Sequence, residues 1–165
     1  MEKSNVFLDT DVILNWLTKE VDPNTGFHLW KCPYEIMKLI EKEEITAYTS
    51  ITNVFEIRFV LRRKKKFPEK NIKDFISNLY KKLNIEIPDS IDMLTANKLQ
   101  DKYALDPFDS IGLGIVQSLP EVTLISRDAD FLKLAVGCEI TACTPEKFIE
   151  KHFPKVFEET KVELY

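Results

Sequence analysis

Histidine and glycine are scarce in this chain, with 2 His and 4 Gly among 165 residues. Two histidines are too few for a histidine-rich zinc centre. The three cysteines, Cys32, Cys138 and Cys143, are odd in number and contain no CxxC pair. They read as buried thiols of a reducing cytoplasm, not as a disulfide framework. Apolar runs fall far short of a membrane span, and Glu2 and Lys3 lead directly into the first strand with no signal-peptide pattern. A cytoplasmic protein with no membrane contact is therefore expected. Glu and Asp outnumber Lys and Arg, 27 to 23, for a net charge of −4. That disfavours general affinity for nucleic acid but leaves room for a basic groove around an acidic centre.

What remains, 44% hydrophobic and 30% charged residues, is the composition of an ordinary helix-rich globule large enough for a single domain. Near its start, Asn5-Val-Phe-Leu-Asp9-Thr-Asp11 runs from β-forming residues into two acids. This reads as a buried first strand that delivers Asp9 to a crevice at its carboxyl end. A short helix through Val12–Leu17 follows, then an aromatic amphipathic helix over 27–43 that could offer a homodimer face. Ile45–Thr49 is a second strand, and a helix starts at Asn53. Pro68 interrupts that helix and the pattern resumes through Leu83. Ile85–Ile87 is a brief strand, Asp89 or Ser90 opens a helix to Leu99, and Asp106-Pro-Phe-Asp109 opens another to Leu119. Val122–Ile125 is strongly strand-like, Glu139–Ala142 is a last strand, and the pattern of 155–165 does not decide between helix, strand and tail. Strands alternating with helices imply an α/β/α sandwich around a mostly parallel sheet of four to five strands.

The acids fall at telling places. Asp9 follows the first strand, Glu56 lies in the first turn of the next long helix, Asp109 opens its own helix, and Asp128 follows the late strand. In a parallel sheet these share one edge. Four carboxylates with no cation among them repel one another, so a divalent ion is their natural partner. Oxygen-only ligation suits Mg²⁺ or Mn²⁺. Each acid also has a purely structural reading. Asn53-Val-Phe-Glu56 has capping-box spacing, Asp106 reads as a helix cap, and Asp109 favours the helix dipole.

Four blocks, in order, resemble the PIN domain family, which includes the VapC-type ribonuclease toxins. They are Phe7-Leu-Asp9-Thr-Asp11-Val, Ser50-Ile-Thr-Asn-Val-Phe-Glu56, Asp109-Ser-Ile-Gly-Leu-Gly114 and Leu124-Ile-Ser-Arg-Asp128-Ala-Asp130-Phe131. Asp11 stands where the family commonly has Asn, and the small residues of the third block let its helix sit close to the sheet. The resemblance implies an endoribonuclease that hydrolyses RNA at one or two Mg²⁺ or Mn²⁺ ions, leaving a 5′-phosphate and a 3′-hydroxyl. By position it assigns Asp9, Glu56, Asp109 and Asp128 as catalytic metal ligands, with Asp130 a fifth ligand or the cap of the following helix. Thr10 and Ser126 orient the carboxylates, and Asp11 caps the first helix. It also suggests the toxin of a toxin–antitoxin pair, with a small antitoxin protein as partner. Residues 1–152 form the PIN-like nuclease domain on this reading, and 153–165 are its C-terminal extension.

Arg58, Arg62, Arg63, Lys64 and Lys65 follow Glu56 on one helix and are candidate RNA-binding residues, against the alternative of a solvated helix end. Phe59 and Phe67 read as core or partner-packing residues. Two other functions fit parts of the pattern. A haloacid-dehalogenase-like phosphatase would use Asp9 as nucleophile but leaves Glu56 and Asp109 without a role. A non-catalytic PIN-fold module would bind RNA or protein without turnover.

Overall fold

Residues 3–165 are described by the computed structural model. Among them, the strands are β1 (Ser4–Leu8), β2 (Ile45–Ser50), β3 (Asn84–Glu86), β4 (Val122–Ile125) and β5 (Ala142–Cys143). They form one sheet in the order β3-β2-β1-β4-β5, with every pairing parallel. Parallel neighbours need crossovers, and helices supply them. These are α1 (Thr10–Thr18), α2 (Lys31–Glu41), α3 (Ile51–Phe59), α4 (Glu69–Lys82), α5 (Ser90–Lys102), α6 (Pro107–Ser118), α7 (Ala129–Gly137), α8 (Pro145–His152) and α9 (Pro154–Thr160). Val6 and Leu8 join a buried cluster with α1 to α4 and α8, while Phe7 between them joins another with α5, α6 and α7. Alternate strand residues thus feed opposite faces, and the sheet is covered on both. This is the expected α/β/α sandwich.

The strand order places the site. The chain moves outward from β1 through β2 to β3, then returns to β4 on the other flank of β1 and continues to β5. Strand order reverses between β1 and β4, so a crevice opens at their carboxyl ends.

Several boundaries differ from the sequence reading. Helix α2 begins at Lys31 and not at 27, with Pro33 in its first turn where a missing N–H costs nothing. Helix α3 begins at Ile51 because Ser50 caps it, its Oγ accepting from Asn53 N at 3.0 Å. Asn53 is a buried brace instead, with Nδ2 donating to Leu8 O at 3.4 Å and Thr49 Oγ1 at 3.2 Å. The last strand is Ala142–Cys143, not Glu139–Ala142, since Glu139 (φ 63°) has left-handed backbone just beyond α7. The C-terminal segment forms α9 and a 3₁₀ turn over Lys161–Glu163, and buries Phe153 and Leu164 in the core that contains β1. Of the three free thiols only Cys32 is buried, while Cys138 and Cys143 are partly exposed. Burial pushes the Cys32 thiol up to about 12.

The two helical glycines of α6 do different jobs. Gly112 faces the sheet, where an added Cβ would lie 3.8 Å from the Phe7 ring. Gly114 faces α5, where a Cβ would come within 2.6 Å of the Asp92 carbonyl oxygen. The small-residue requirement is therefore strict against α5 and loose against the sheet. Gly114→Ala is expected to cost about 1–3 kcal/mol through overpacking. Gly112→Ala should be neutral or stabilise by up to about 1 kcal/mol. Urea unfolding of the two variants separates them, and equal midpoints would contradict the assignment.

Candidate active site

Asp9 is the first residue after β1, and its position is fixed from three sides. Its N–H donates to Ile125 O at 3.0 Å, tying the end of β1 to the end of β4. Its Oδ1 accepts from Thr10 N at 2.7 Å and its Oδ2 from Ser126 Oγ at 2.7 Å. Asp9, not Asp11, occupies the cap position of α1. Asp11 turns back toward β4, where its Oδ2 accepts from Arg127 N at 2.8 Å and Ser126 Oγ at 3.4 Å. The expected capping role of Asp11 is thus corrected: a turn 115 residues away claims its carboxylate. Its other oxygen, Oδ1, is buried without a hydrogen-bond partner.

Glu56 lies in the second turn of α3, not the first, because the cap is Ser50. Its spacing from Asn53 is therefore not a capping box. Its Oε2 accepts instead from Thr10 Oγ1 at 2.8 Å. Asp106 caps α6 through Phe108 N at 2.8 Å, which leaves Asp109 free of capping and half-buried in the first turn. Asp128 caps α7, accepting from Phe131 N at 2.9 Å. Asp130 is exposed on that helix and does not line the crevice.

The crevice is a cleft of about 490 Å³ lined by Asp9, Asp11, Glu56, Asp109 and Asp128, with Asp106 and Glu20 at its margins. Its electrostatics follow from burial first and from neighbouring charge second. Burial, then the neighbouring Asp11 charge, pushes the Asp9 carboxyl up to about 8 against the pull of its Ser126 and Thr10 hydrogen bonds. Burial, then Asp106, Asp128 and Glu56, pushes Asp109 up to about 6. Asp11 is also raised, mainly by burial. Among the described residues no three acids are drawn together closely enough to share one ion as they stand. The donor set is nevertheless all oxygen and includes the orphaned Asp11 Oδ1. A cation that keeps several of its own waters and takes only one or two carboxylates directly fits it.

The basic candidates divide. Lys64 and Lys65 line the same cleft, whereas Arg58, Arg62 and Arg63 do not. Arg62 is turned to Glu69 on α4, with Nη2–Oε2 at 2.9 Å. Phe67 packs edge-on against Phe75, ring centroids 5.7 Å apart, while Phe59 is 55% exposed and is not a core residue.

A family model for the PIN domain matches residues 6–137. The chain belongs to the PIN domain family. The match runs from β1 through α7 and so spans every acid of the cleft. It also removes the phosphatase reading. Solved structures share this PIN fold. A toxin–antitoxin complex from Klebsiella pneumoniae is similar at 16% identity and a TM-score of 0.59, over 85% of this chain and 97% of the other. DNA-bound VapBC from Salmonella typhimurium has 13% identity and a TM-score of 0.63, over 87% and 99%. VapBC2 from Rickettsia felis, bound to a fragment of its promoter DNA, has 16% identity and a TM-score of 0.60, over 85% and 98%. No curated protein matches the sequence. No helix among the described residues is long and apolar enough to cross a membrane.

Two residues of this PIN domain received no role from the sequence. Arg127 reaches behind the cleft, with Nε donating to Asn15 Oδ1 at 2.7 Å, Nη2 to Leu29 O at 2.6 Å, and both terminal nitrogens to Glu146 at 2.6 and 3.0 Å. Asn15, also buried, passes this network on to Glu20 through Nδ2 at 3.1 Å. The only sequence signal was an Arg set between Ser126 and Asp128.

Proposed function

We propose that this PIN domain is an endoribonuclease that works with Mg²⁺ or Mn²⁺, and that it is the toxin of a toxin–antitoxin pair. One observation carries the nuclease reading. Asp9, Glu56, Asp109 and Asp128 arrive from four separate elements at one cleft, where burial first and the Asp11 charge second raise the Asp9 carboxyl to about 8. Burying acids so that they resist ionisation costs stability, and a divalent cation is what offsets it.

In this reading Asp9, Glu56, Asp109 and Asp128 hold the cation between them, one or two directly and the others through its bound waters. Bound there, it would lower the pKa of water and neutralise charge developing on the phosphate. The chain's own groups set the donors. The Ser126 hydroxyl and the Thr10 N–H fix the two Asp9 oxygens and the Thr10 hydroxyl fixes one Glu56 oxygen, so both carboxylates are held in a defined orientation toward the cleft. Asp11 braces the turn that carries Ser126. The exposed Asp130 has no part in this set.

The test incubates purified protein with end-labelled RNA in Mn²⁺ or in EDTA. Cleavage with Mn²⁺ alone, leaving 5′-phosphate and 3′-hydroxyl ends, is the expected result. Binding without cleavage in Mn²⁺ and Mg²⁺ would favour a non-catalytic module. Independently, Mn²⁺ at about a hundred times its Kd should stabilise the fold by about 2.7 kcal/mol, read as a rise in Tm. A Tm unmoved by millimolar Mn²⁺ would overturn the metal site.

The antitoxin partner is supported by the likeness to three toxin–antitoxin complexes. Phe55, Phe59, Ile91 and Leu94 remain more than half exposed and offer apolar surface to a partner chain or a second copy. The aromatic segment remains available in part as a homodimer face, since Tyr34 is 42% exposed while other positions turn inward. Ile36, Met37 and Leu39 are buried, and Phe27 packs edge-on against Tyr165 at 5.4 Å. Co-expression with the protein encoded beside this chain, followed by co-purification and loss of RNA cleavage, checks the pairing.

A further inference from the structure

Helix α3 does not end as an ordinary α-helix. It continues through a π-helical turn over Val60–Lys64, closed by Lys65 N donating to Val60 O at 2.9 Å, five residues back. Such turns are rare and concentrate at functional sites. Glu56 and Val60, four residues apart, share the face that lines the acidic cleft. The wider turn carries that face on to the adjacent pair Lys64 and Lys65. The end of the turn is also held. Lys66 takes left-handed backbone (φ 54°), Phe67 N donates to Leu61 O at 2.9 Å, and Phe67 packs on Phe75. A solvated, fraying helix end would show none of this.

The two ammonium groups are differently occupied. Lys64 makes no ion pair among the described residues, whereas Lys65 meets Glu20 at 3.3 Å. Glu20 is itself held by Asn15 at 3.1 Å, so an anionic oxygen is presented to Lys65 from a fixed point at the cleft margin. Both members of that pair are about one-third exposed, a setting in which an ion pair is easily displaced.

We propose that Lys64 and Lys65 form a phosphate subsite at the mouth of the cleft, which takes a backbone phosphate of single-stranded nucleic acid beside the one attacked at the acids. This rests on the nuclease reading for its substrate class. Glu20 occupies the anion position on Lys65 and competes with the incoming phosphate. Eight residues of helix separate Lys64 from Glu56, roughly 12 Å at α-helical rise. Of the cleft's acids only Glu20 pairs with either lysine, so the strand is held without neutralising the four acids. Because ammonium groups meet phosphate and not the sugar, the subsite does not distinguish RNA from DNA.

The experiment measures binding of a labelled single-stranded RNA hexamer, and of the DNA hexamer of the same sequence, in EDTA across a salt series. In Lys64→Ala/Lys65→Ala the slope of log K against log salt should flatten by about 1.4, from two lost contacts at about 0.7 each. Affinity for both polymers should fall by the same factor, about tenfold at low salt. Glu20→Gln should tighten binding two- to fivefold, and Lys70→Ala on α4 should leave it unchanged. In Mn²⁺ the double variant should raise KM about tenfold with kcat within twofold. An unchanged slope, a loss confined to RNA, or a fall in kcat at unchanged KM would each overturn the subsite. The two readings fail separately. Flattened slopes without cleavage by the wild type leave the subsite standing and remove the nuclease. Cleavage with coincident slopes does the reverse.

Discussion

In chelator at pH 8, Asp9→Asn is expected to melt above the wild type, and in saturating Mn²⁺ below it. The sign comes from proton linkage. Burial and Asp11 raise the folded Asp9 carboxyl from 3.8 to about 8, so between those values the folded chain binds more protons than the unfolded one. The stability this group contributes is whole below pH 4 and is lost as the pH rises through 8. Asn carries no such charge, its side-chain oxygen can keep the Thr10 N–H while its Nδ2 donates to the Ser126 hydroxyl oxygen, and the variant escapes the loss. The gap between variant and wild type should therefore vanish near pH 4 and widen steadily to pH 8. Asp109, raised to about 6, adds to the wild-type slope with the same sign and remains in the variant as an internal reference. Saturating Mn²⁺ reverses the order because only the wild type offers the full set of anionic donors. RNA cleavage in Mn²⁺ should fall about 100- to 1,000-fold, the usual cost of removing one preorganised stabilising group. Melting curves at five pH values, with and without Mn²⁺, check the thermodynamic half without reference to turnover. Parallel pH profiles for the two proteins would show that Asp9 titrates as an ordinary surface acid and would remove the basis of the metal site.

The parts of this molecule legible in the sequence are those written locally. Val122–Ile125 as a strand, Asp106-Pro107 as a cap with Pro at N1, and the alternation of strands and helices each follow from neighbouring residues, and each is found. The same local signals put Asp9, Asp109 and Asp128 at one sheet edge, and the fold does bring them to one cleft with Glu56. What could not be read was pairing at long range. Asp11 looked like a cap because the sequence shows its neighbours and not Arg127, whose N–H meets it from 116 residues away. Glu56 sits a turn deeper in α3 than its neighbours suggest, for a related reason. Ser50 continues a strand pattern and caps a helix at once, so its capping was hidden inside β2. The π-turn had no signature at all. A run of Arg and Lys reads equally as a frayed end or a groove, and only the Lys65–Val60 hydrogen bond decides which residues face the cleft.

Arg127→Ala should produce the largest loss of stability among single substitutions around the site, about 3–5 kcal/mol by urea unfolding. The Arg127 side chain is 16% exposed and that of Glu146 is 18% exposed, so their two-pronged contact is largely removed from water. Truncation leaves the Glu146 carboxylate, the Asn15 side-chain oxygen and the Leu29 carbonyl short of a donor together, and desolvated groups left unpaired cost far more than a surface ion pair contributes. Arg127→Lys should recover only part of the loss, since one ammonium cannot reach three acceptors arranged for a planar fork. Arg127→Met combined with Glu146→Gln should recover more, because the stranded charge is then gone. The loss should be one of scaffold and not of chemistry. The backbone N–H that binds Asp11 survives the substitution, as does Ser126 with its bond to Asp9. Where Arg127→Ala remains folded, RNA cleavage should therefore stay within about tenfold of wild type, in contrast to Asp9→Asn. A stable but inactive Arg127→Ala would instead place the guanidinium in contact with substrate, although Asn15, Leu29 and Glu146 already take up its donors.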